Sequence, residues 1–364
     1  MNGWFALAKP PNRRNNALFA RERQSVSRFL DELKSRVLFL DGAMGTSIHQ
    51  LELDLETDYL GKENCTEVLA LTRPDAIQQI HESFLAVGCD AVETDTFGGM
   101  PHVLCEFDLE DRAREINRKA VAIARAACDK HSTPDKPRFV IGSMGPGTKL
   151  VTLGNITWDA MLASYTEQVM GLIGAKEDAD ELDPDAPRAD MLLVETCQDL
   201  LQCKCAVNAC IDAQKKLGLW NTDQHVPIFV QVTIETTGTM LLGSEISAAV
   251  TALKQLPIDG LGMNCATGPT EMAEHIKYLC ENFPGFVSVL PNAGLPAMVE
   301  GQTVFPLEPD GFAKALSRFV TDDGVNLVGG CCGTTPDHLK ALIEQVGNVA
   351  PKQRDVADLS QCSS

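Results

Sequence analysis

The sequence predicts an α/β protein folded as a closed, parallel eight-stranded (β/α)8 TIM barrel. Two features carry that expectation. Short aliphatic or β-branched runs alternate with longer amphipathic segments eight times along the 364 residues. The runs are apolar throughout rather than alternating with polar residues, so each strand is buried on both faces, as in a parallel sheet covered by helices. Eight such units suit a closed barrel better than an open doubly wound sheet. No Gly-x-Gly-x-x-Gly fingerprint and no phosphate-binding P-loop is present, so nucleotide binding has no support.

The elements follow in order. The first strand is Val37 to Leu40, ending at Asp41-Gly42. Pro74 to Val87 has apolar residues at helical spacing (Ile77, Ile80, Phe84, Val87), and Gly88 then leads to the strand Ala91 to Thr94. Arg112 to Cys128 is helical and Phe139 to Ser143 is the third strand; a Gly/Thr-rich loop delays the next helix, Trp158 to Gly174. Strand Met191 to Glu195 precedes helix Leu200 to Leu217, and strand Ile228 to Thr233 precedes helix Ser247 to Gln255. The last three pairs are Gly260 to Asn264 with Thr270 to Asn282, Val287 to Leu290 with Asp310 to Phe319, and Val325 to Val328 with Pro336 to Val346. Residues 26–349 are thus assigned to the barrel, 1–25 to a flexible basic extension and 350–364 to a disordered polar tail. The acidic stretch Lys176 to Arg188 reads as a solvated excursion on the face away from the chemistry.

Charge narrows the function. With 31 Lys and Arg against 50 Asp and Glu, the net charge is −19. That excess opposes a nucleic-acid backbone, whose binding is driven by Lys and Arg, and equally an anionic membrane surface. No apolar run reaches the roughly 18–20 residues needed to span a bilayer. The leader has only Trp4 to Ala8 as an apolar stretch, too short for a signal-peptide core. A cytoplasmic setting is expected, in which the 13 cysteines are thiols and a cluster of them reads as a metal or catalytic site rather than a disulfide framework.

A barrel's active site lies at the C-terminal ends of its strands. Those ends carry Asp41-Gly42, Glu93-Thr94-Asp95, Ser143, Glu195-Thr196, Thr233, Asn264-Cys265, Pro291-Asn292 and Gly329-Gly330-Cys331-Cys332-Gly333. Cys265, Cys331 and Cys332 fall on the sixth and eighth ends, separated by one strand, where three thiolates can converge on one tetrahedral ion and leave its fourth position open. Adjacent cysteines in a regular strand point to opposite faces, so Cys331 and Cys332 need a kink, for which Gly329, Gly330 and Gly333 supply freedom. A redox pair and inert thiols are the other readings of the same residues. Asp41 and Glu195 suit recognition of an α-ammonium group, although an Asp before Gly also serves as a cap or turn former. Glu93 and Asp95 share one face of their strand and are equally suited to structural ion pairs; they are not placed in the catalytic set. Cys197, Cys203, Cys205 and Cys210 read as small buried hydrophobes, and His338 as a surface helix residue rather than a fourth ligand.

These motifs resemble the homocysteine S-methyltransferase family. The segments are Leu40-Asp41-Gly42-Ala43-Met44-Gly45-Thr46, Glu93-Thr94-Asp95-Thr96-Phe97, Leu193-Val194-Glu195-Thr196, Gly262-Met263-Asn264-Cys265, Pro291-Asn292-Ala293-Gly294-Leu295-Pro296 and Gly329-Gly330-Cys331-Cys332-Gly333-Thr334-Thr335-Pro336. Within the family the likeness is strongest to the homocysteine-binding barrel of cobalamin-dependent methionine synthases. The resemblance implies zinc held by Cys265, Cys331 and Cys332, with homocysteine sulfur at the open position. It implies that Asp41 and Glu195 hold the substrate's amino group and that backbone N–H groups near Gly42 take its carboxylate. One departure is Asp95, where the family commonly has Asn.

A free thiol, with a pKa of about 8.5, is little ionised at neutral pH, and coordination to a cation deprotonates it. The methyl donor is expected to be methylcobalamin supplied in trans by a separately encoded cobalamin- and folate-binding partner, since no Asp-x-His-x-x-Gly cobalamin motif occurs. The alternatives are a stand-alone enzyme using S-methylmethionine or a betaine, and a non-catalytic module that binds zinc or homocysteine.

Overall fold

A computed structural model describes residues 27–299 and 301–356. The expected N-terminal extension and the tail beyond residue 356 lie outside the described residues. Ten strands are present: β1 Leu38–Phe39, β2 Ala91–Glu93, β3 Phe139–Met144, β4 Met191–Cys197, β5 Ile228–Val232, β6 Gly260–Asn264, β7 Phe286–Leu290, β8 Ala297–Val299, β9 Gln302–Val304 and β10 Leu327–Val328. Strands β1 to β7 and β10 form one parallel sheet in chain order, with β10 between β7 and β1. A parallel bridge from Leu40 to Ala91 joins β1 to β2 and closes the barrel. Asp90 reinforces the seam: its N–H donates to the Phe39 carbonyl at 2.7 Å and its carboxylate accepts the Phe39 N–H at 3.0 Å.

The eight expected helices surround the sheet, from Pro74–Ala86 to Pro336–Val346. Four begin with proline at the first turn (Pro74, Pro269, Pro309, Pro336), where its missing N–H costs nothing. Asp199 caps the helix Leu200–Lys216, its carboxylate accepting from Leu201 and Gln202 N–H. Alternation along the strands divides the side chains. Val92, Val140, Leu192, Val230 and Val287 face the helices. Leu38, Leu40, Ala91, Phe139, Ile141, Met191, Leu193, Phe229 and Leu327 fill the barrel's lower interior.

Beyond the expected repeat, two further elements shape the ends of the barrel. A helix at Arg28–Ser35 drives Phe29, Leu30 and Leu33 into the bottom of the barrel, where Phe29 meets Phe139 and Phe229 edge-on with ring centroids 5.3 and 6.0 Å apart. The antiparallel hairpin β8–β9 rises from the connection between β7 and the helix Pro309–Arg318. The acidic excursion between the helix Trp158–Leu172 and β4 does lie opposite the strands' C-terminal ends, but it is tied down. Arg114 pairs with Glu167 and Asp180, and Arg118 with Asp183. Residues 350–356, expected to belong to a disordered tail, lie against the barrel, the Arg354 guanidinium donating to the carbonyls of Cys280, Phe283 and Gly285. No helix among the described residues is long and apolar enough to cross a membrane.

Candidate active site and metal centre

Above the apolar floor, the inward positions of the same strands turn polar. Glu93, Ser143, Glu195, Gln231, Asn264 and Ser288 continue the parity of the floor residues beneath them. The mouth is therefore built by the same alternation as the core, with the residue types exchanged.

The three rim cysteines come together. The Cys332 sulfur lies 3.9 Å from that of Cys265 and 4.0 Å from that of Cys331, and all three sit within 4.8 Å of one another. A tetrahedral ion with metal–sulfur bonds of about 2.3 Å needs sulfurs about 3.8 Å apart, so the thiols already form nearly the required triangular face. The end of β7 sets this spacing: Cys265 N–H donates to the Leu290 carbonyl at 3.1 Å and Cys331 N–H to the Pro291 carbonyl at 2.8 Å. The adjacent cysteines share a face through a turn closed by Thr334 N–H on the Cys331 carbonyl at 3.1 Å, with Gly333 at φ 77° in its third position.

Of the three glycines expected to supply unusual dihedrals, only Gly333 does so. Gly329 and Gly330 have ordinary φ; a Cβ there would come within 2.9 Å of Leu40 and 2.3 Å of Thr334, so they permit close packing instead. The unforeseen strain is at Thr196 (φ 55°), Cys265 (φ 59°) and Ala266 (φ 57°), non-glycine residues in the left-handed region at the ends of β4 and β6. The thiols are electrically unequal. Hydrogen bonding from Cys265 and then from Cys331 pulls Cys332 down to about 3, while hydrogen bonds with Cys265 and Cys332, and then burial, push Cys331 up.

Three carboxyl groups share the mouth with the sulfurs, at the ends of β1, β2 and β4. Asp41 accepts the Glu93 N–H with both oxygens at 3.2 Å. Glu195 accepts from Ser143 Oγ at 2.5 Å and from Asn264 Nδ2 at 3.0 Å. Asn264 also accepts the Thr196 N–H at 2.8 Å, so one side chain links the Glu195 loop to the residue preceding Cys265. Burial pushes Glu195 up to about 7; it also raises Asp41 and Glu93, with the charge of Glu195 adding to both and that of Asp41 adding to Glu93, while the Glu93 N–H pulls Asp41 the other way. None of the three makes an ion pair among the described residues. Without a cationic partner, buried carboxyls favour their neutral form.

Other expected residues fall as follows. Gly42 is buried, and a Cβ there would reach Thr334 Oγ1 at 2.5 Å and Phe84 at 2.9 Å. Asn292 Oδ1 accepts the Cys332 N–H at 3.1 Å and so braces the ligand loop. His338 is not a surface residue: it is buried at the start of its helix, bonded to Thr335 through Nδ1 and to the Leu307 carbonyl through Nε2 at 2.8 Å. Cys197, Cys203, Cys205 and Cys210 are buried, as anticipated. Asp95 is buried with one oxygen on Thr66 Oγ1 at 3.2 Å, and burial together with neighbouring Glu67 pushes it up to about 8. The expectation of ion pairs for Glu93 and Asp95 is not met, and the parity of Glu93 with the inward-facing Ala91 was the available signal. All eleven exposed large apolar side chains among the described residues, including Phe97, Leu153, Leu241 and Met298, lie in the βα connections or the helix turn that follows them, around this mouth.

A (β/α)8 barrel with a thiol triad and unpaired carboxyls at its mouth defines a class of thiol-directed transferases. Comparison identifies which: the homocysteine S-methyltransferase family profile matches residues 38–346, and the chain belongs to that family. It is 46% identical over 328 residues to a methionine synthase of Mycobacterium tuberculosis, covering 90% of this chain and 26% of that protein. The methionine synthase of Mycobacterium leprae is 45% identical over 327 residues, with the same coverage. The chain thus spans about a quarter of the length of these relatives. The metallated form of the homocysteine methyltransferase MmuM from Escherichia coli has the same fold, with a TM-score of 0.65 at 20% identity over 88% of this chain and 99% of that one.

Proposed function

We propose that the chain is a zinc-dependent homocysteine S-methyltransferase serving as the homocysteine module of a split cobalamin-dependent methionine synthase. Its methyl group would originate on methyltetrahydrofolate and arrive as methylcobalamin on a separate protein. The observation that carries the reading is the placement of three thiols at tetrahedral spacing beside buried carboxyls that lack a cation. Cys265, Cys331 and Cys332 would hold zinc. When bound, zinc supplies a positive centre at which the substrate sulfur stays ionised at neutral pH, with three thiolate ligands leaving it electron-rich enough not to quench that sulfur.

The chain's own residues bind and orient. Asp41 and Glu195 take the α-ammonium, which explains two acids kept in a site where burial opposes their charge. Ser143 and Asn264 fix both oxygens of Glu195, so its geometry is set before substrate arrives. Backbone N–H groups near Gly42 take the carboxylate, and the missing Cβ leaves the backbone there packed tightly against Thr334. Held at both α-substituents, homocysteine extends its two methylenes toward the sulfurs, which begin one residue beyond the Asn264 that holds Glu195.

The apolar rim supports a macromolecular donor, because soluble surfaces that cluster apolar side chains around one opening are those that meet partners. A surplus of carboxyls at the mouth favours the second reading, a cationic donor such as S-methylmethionine or a betaine. The deciding experiment follows methionine formation by the zinc-loaded protein with free methylcobalamin and S-methylmethionine in parallel. Turnover with methylcobalamin supports the split synthase, and turnover with S-methylmethionine alone replaces it with a self-sufficient enzyme. Failure to bind homocysteine at all would leave the non-catalytic zinc-binding reading.

A further inference from the structure

We infer that Glu93 is a third acceptor for the substrate's ammonium group and a determinant of specificity for α-amino thiols, an inference that rests on the homocysteine reading above. The geometry separates Glu93 from the two acids already assigned. Asp41 spends both oxygens on the Glu93 N–H, and Glu195 has one oxygen on Ser143 and the other on Asn264. Glu93 Oε1, by contrast, is buried with no hydrogen-bond partner. Among the trio it is the buried oxygen with no partner at all, whereas each oxygen of Asp41 and Glu195 already accepts one bond and keeps a second lone pair for the ammonium.

Position agrees. Glu93 ends β2 with the parity of Ala91, which faces the barrel interior, and its own N–H holds the Asp41 carboxylate in place. The groups whose charge bears on it are Glu195 and Asp41, the pair assigned to the ammonium. No Lys or Arg pairs with it among the described residues. An ammonium carries three N–H donors directed to the corners of a tetrahedral face. Two carboxylates leave one donor unmatched, and a third from the neighbouring strand completes the set. An unmatched buried acceptor costs stability in the free protein, and an ammonium that satisfies it recovers that loss on binding.

The test measures equilibrium binding of L-homocysteine and of its des-amino analogue 4-mercaptobutanoate to the zinc-loaded full chain by calorimetry. The wild type is compared with Glu93→Gln, Asp41→Asn and Glu195→Gln. Glu93→Gln should weaken L-homocysteine roughly ten- to a hundredfold, the scale of one hydrogen bond to a charged group. Zinc content and affinity for the des-amino thiol should stay within about twofold, so discrimination between the two thiols collapses. If Glu93→Gln binds L-homocysteine like the wild type while Asp41→Asn and Glu195→Gln lose it, the inference about Glu93 is overturned and the reading of the site stands. If all three variants bind like the wild type, the ammonium site itself is wrongly placed. Should Glu93→Gln not fold, Glu93→Asp carries the same comparison: the charge is kept but withdrawn by one methylene, and unchanged discrimination would equally overturn the inference.

Discussion

Cys331 occupies the centre of the ligand loop: its N–H is tied to the end of β7, its carbonyl closes the turn that aims Cys332, and its sulfur completes the triangle. Serine at this position keeps those backbone bonds but replaces a soft thiolate by a poor metal ligand. Cys331→Ser is therefore expected to lose zinc and methyl transfer together while remaining folded, as checked by metal analysis beside a thermal melt; an active, zinc-free variant would sink the metal reading. Asp95 makes a different prediction. Its carboxyl is pushed up to about 8, first by burial and then by Glu67, with Thr66 opposing and the Tyr59 phenol also nearby. In the unfolded chain an Asp ionises near 3.9. The folded protein therefore holds an extra proton between these values. The associated stability is complete below about pH 4 and is lost as pH rises to about 8, at a rate of up to about 1.4 kcal/mol per pH unit. Asp95→Asn removes this dependence, so its melting temperature should gain on the wild type steadily from pH 5 to pH 8. A difference that does not move with pH would refute the assignment. The three cysteines were legible as a site because few other arrangements place thiols on neighbouring strand ends. Glu93 was not, since whether an acid finds a cationic partner depends on side chains remote in sequence.

At the scale of elements, strands and helices were legible wherever burial imposed a period. The helix Pro336–Val346 and the strand Gly260–Asn264 have the bounds that the sequence predicts, while β1 loses one residue at each end and β10 begins two residues late, at Leu327. The helix Arg28–Ser35 does place Phe29, Leu30 and Leu33 on one face behind a capping Ser27, but it precedes the first strand and so falls outside the repeating strand–helix pattern. The hairpin β8–β9 was missed because its apolar residues are exposed, so no burial pattern marks it. The plug carries a prediction of its own. Phe29 is 1% exposed and packs against two aromatic rings in a space closed on every other side by the barrel. Phe29→Ala should cost about 3–5 kcal/mol of unfolding free energy, measured by denaturant titration. Homocysteine affinity should be retained in the folded fraction, since the plug lies at the opposite end from the sulfurs. A cost below about 1 kcal/mol would mean that the helix is an appendage rather than part of the core.

For the molecule as a whole, the barrel was legible because eight buried strands leave a strong repeated signature, and its mouth because topology alone says where strand ends meet. What partner approaches the mouth was not legible, since the exposed apolar residues are spread along the chain from Leu55 to Val304 and only closure of the barrel gathers them. That ring separates two ways of delivering a methyl group. A small donor needs only the opening, whereas a protein-bound corrinoid must bring its carrier against the rim. Met298 is 70% exposed in the middle of β8 and Leu241 is 52% exposed after β5, and neither is among the residues assigned to zinc or homocysteine. A Met298→Lys, Leu241→Lys double variant places two charges on this surface without touching the groups assigned to zinc or homocysteine. With free methylcobalamin its turnover should match the wild type within about twofold. With the methyl group presented on a corrinoid protein, the KM for that protein should rise roughly tenfold or more, since charges set against an apolar interface core cost several times RT. Equal loss with both donors would mean that the substitutions damage the barrel, and no loss with either would remove the rim from the docking surface and shift the balance toward a small-molecule donor.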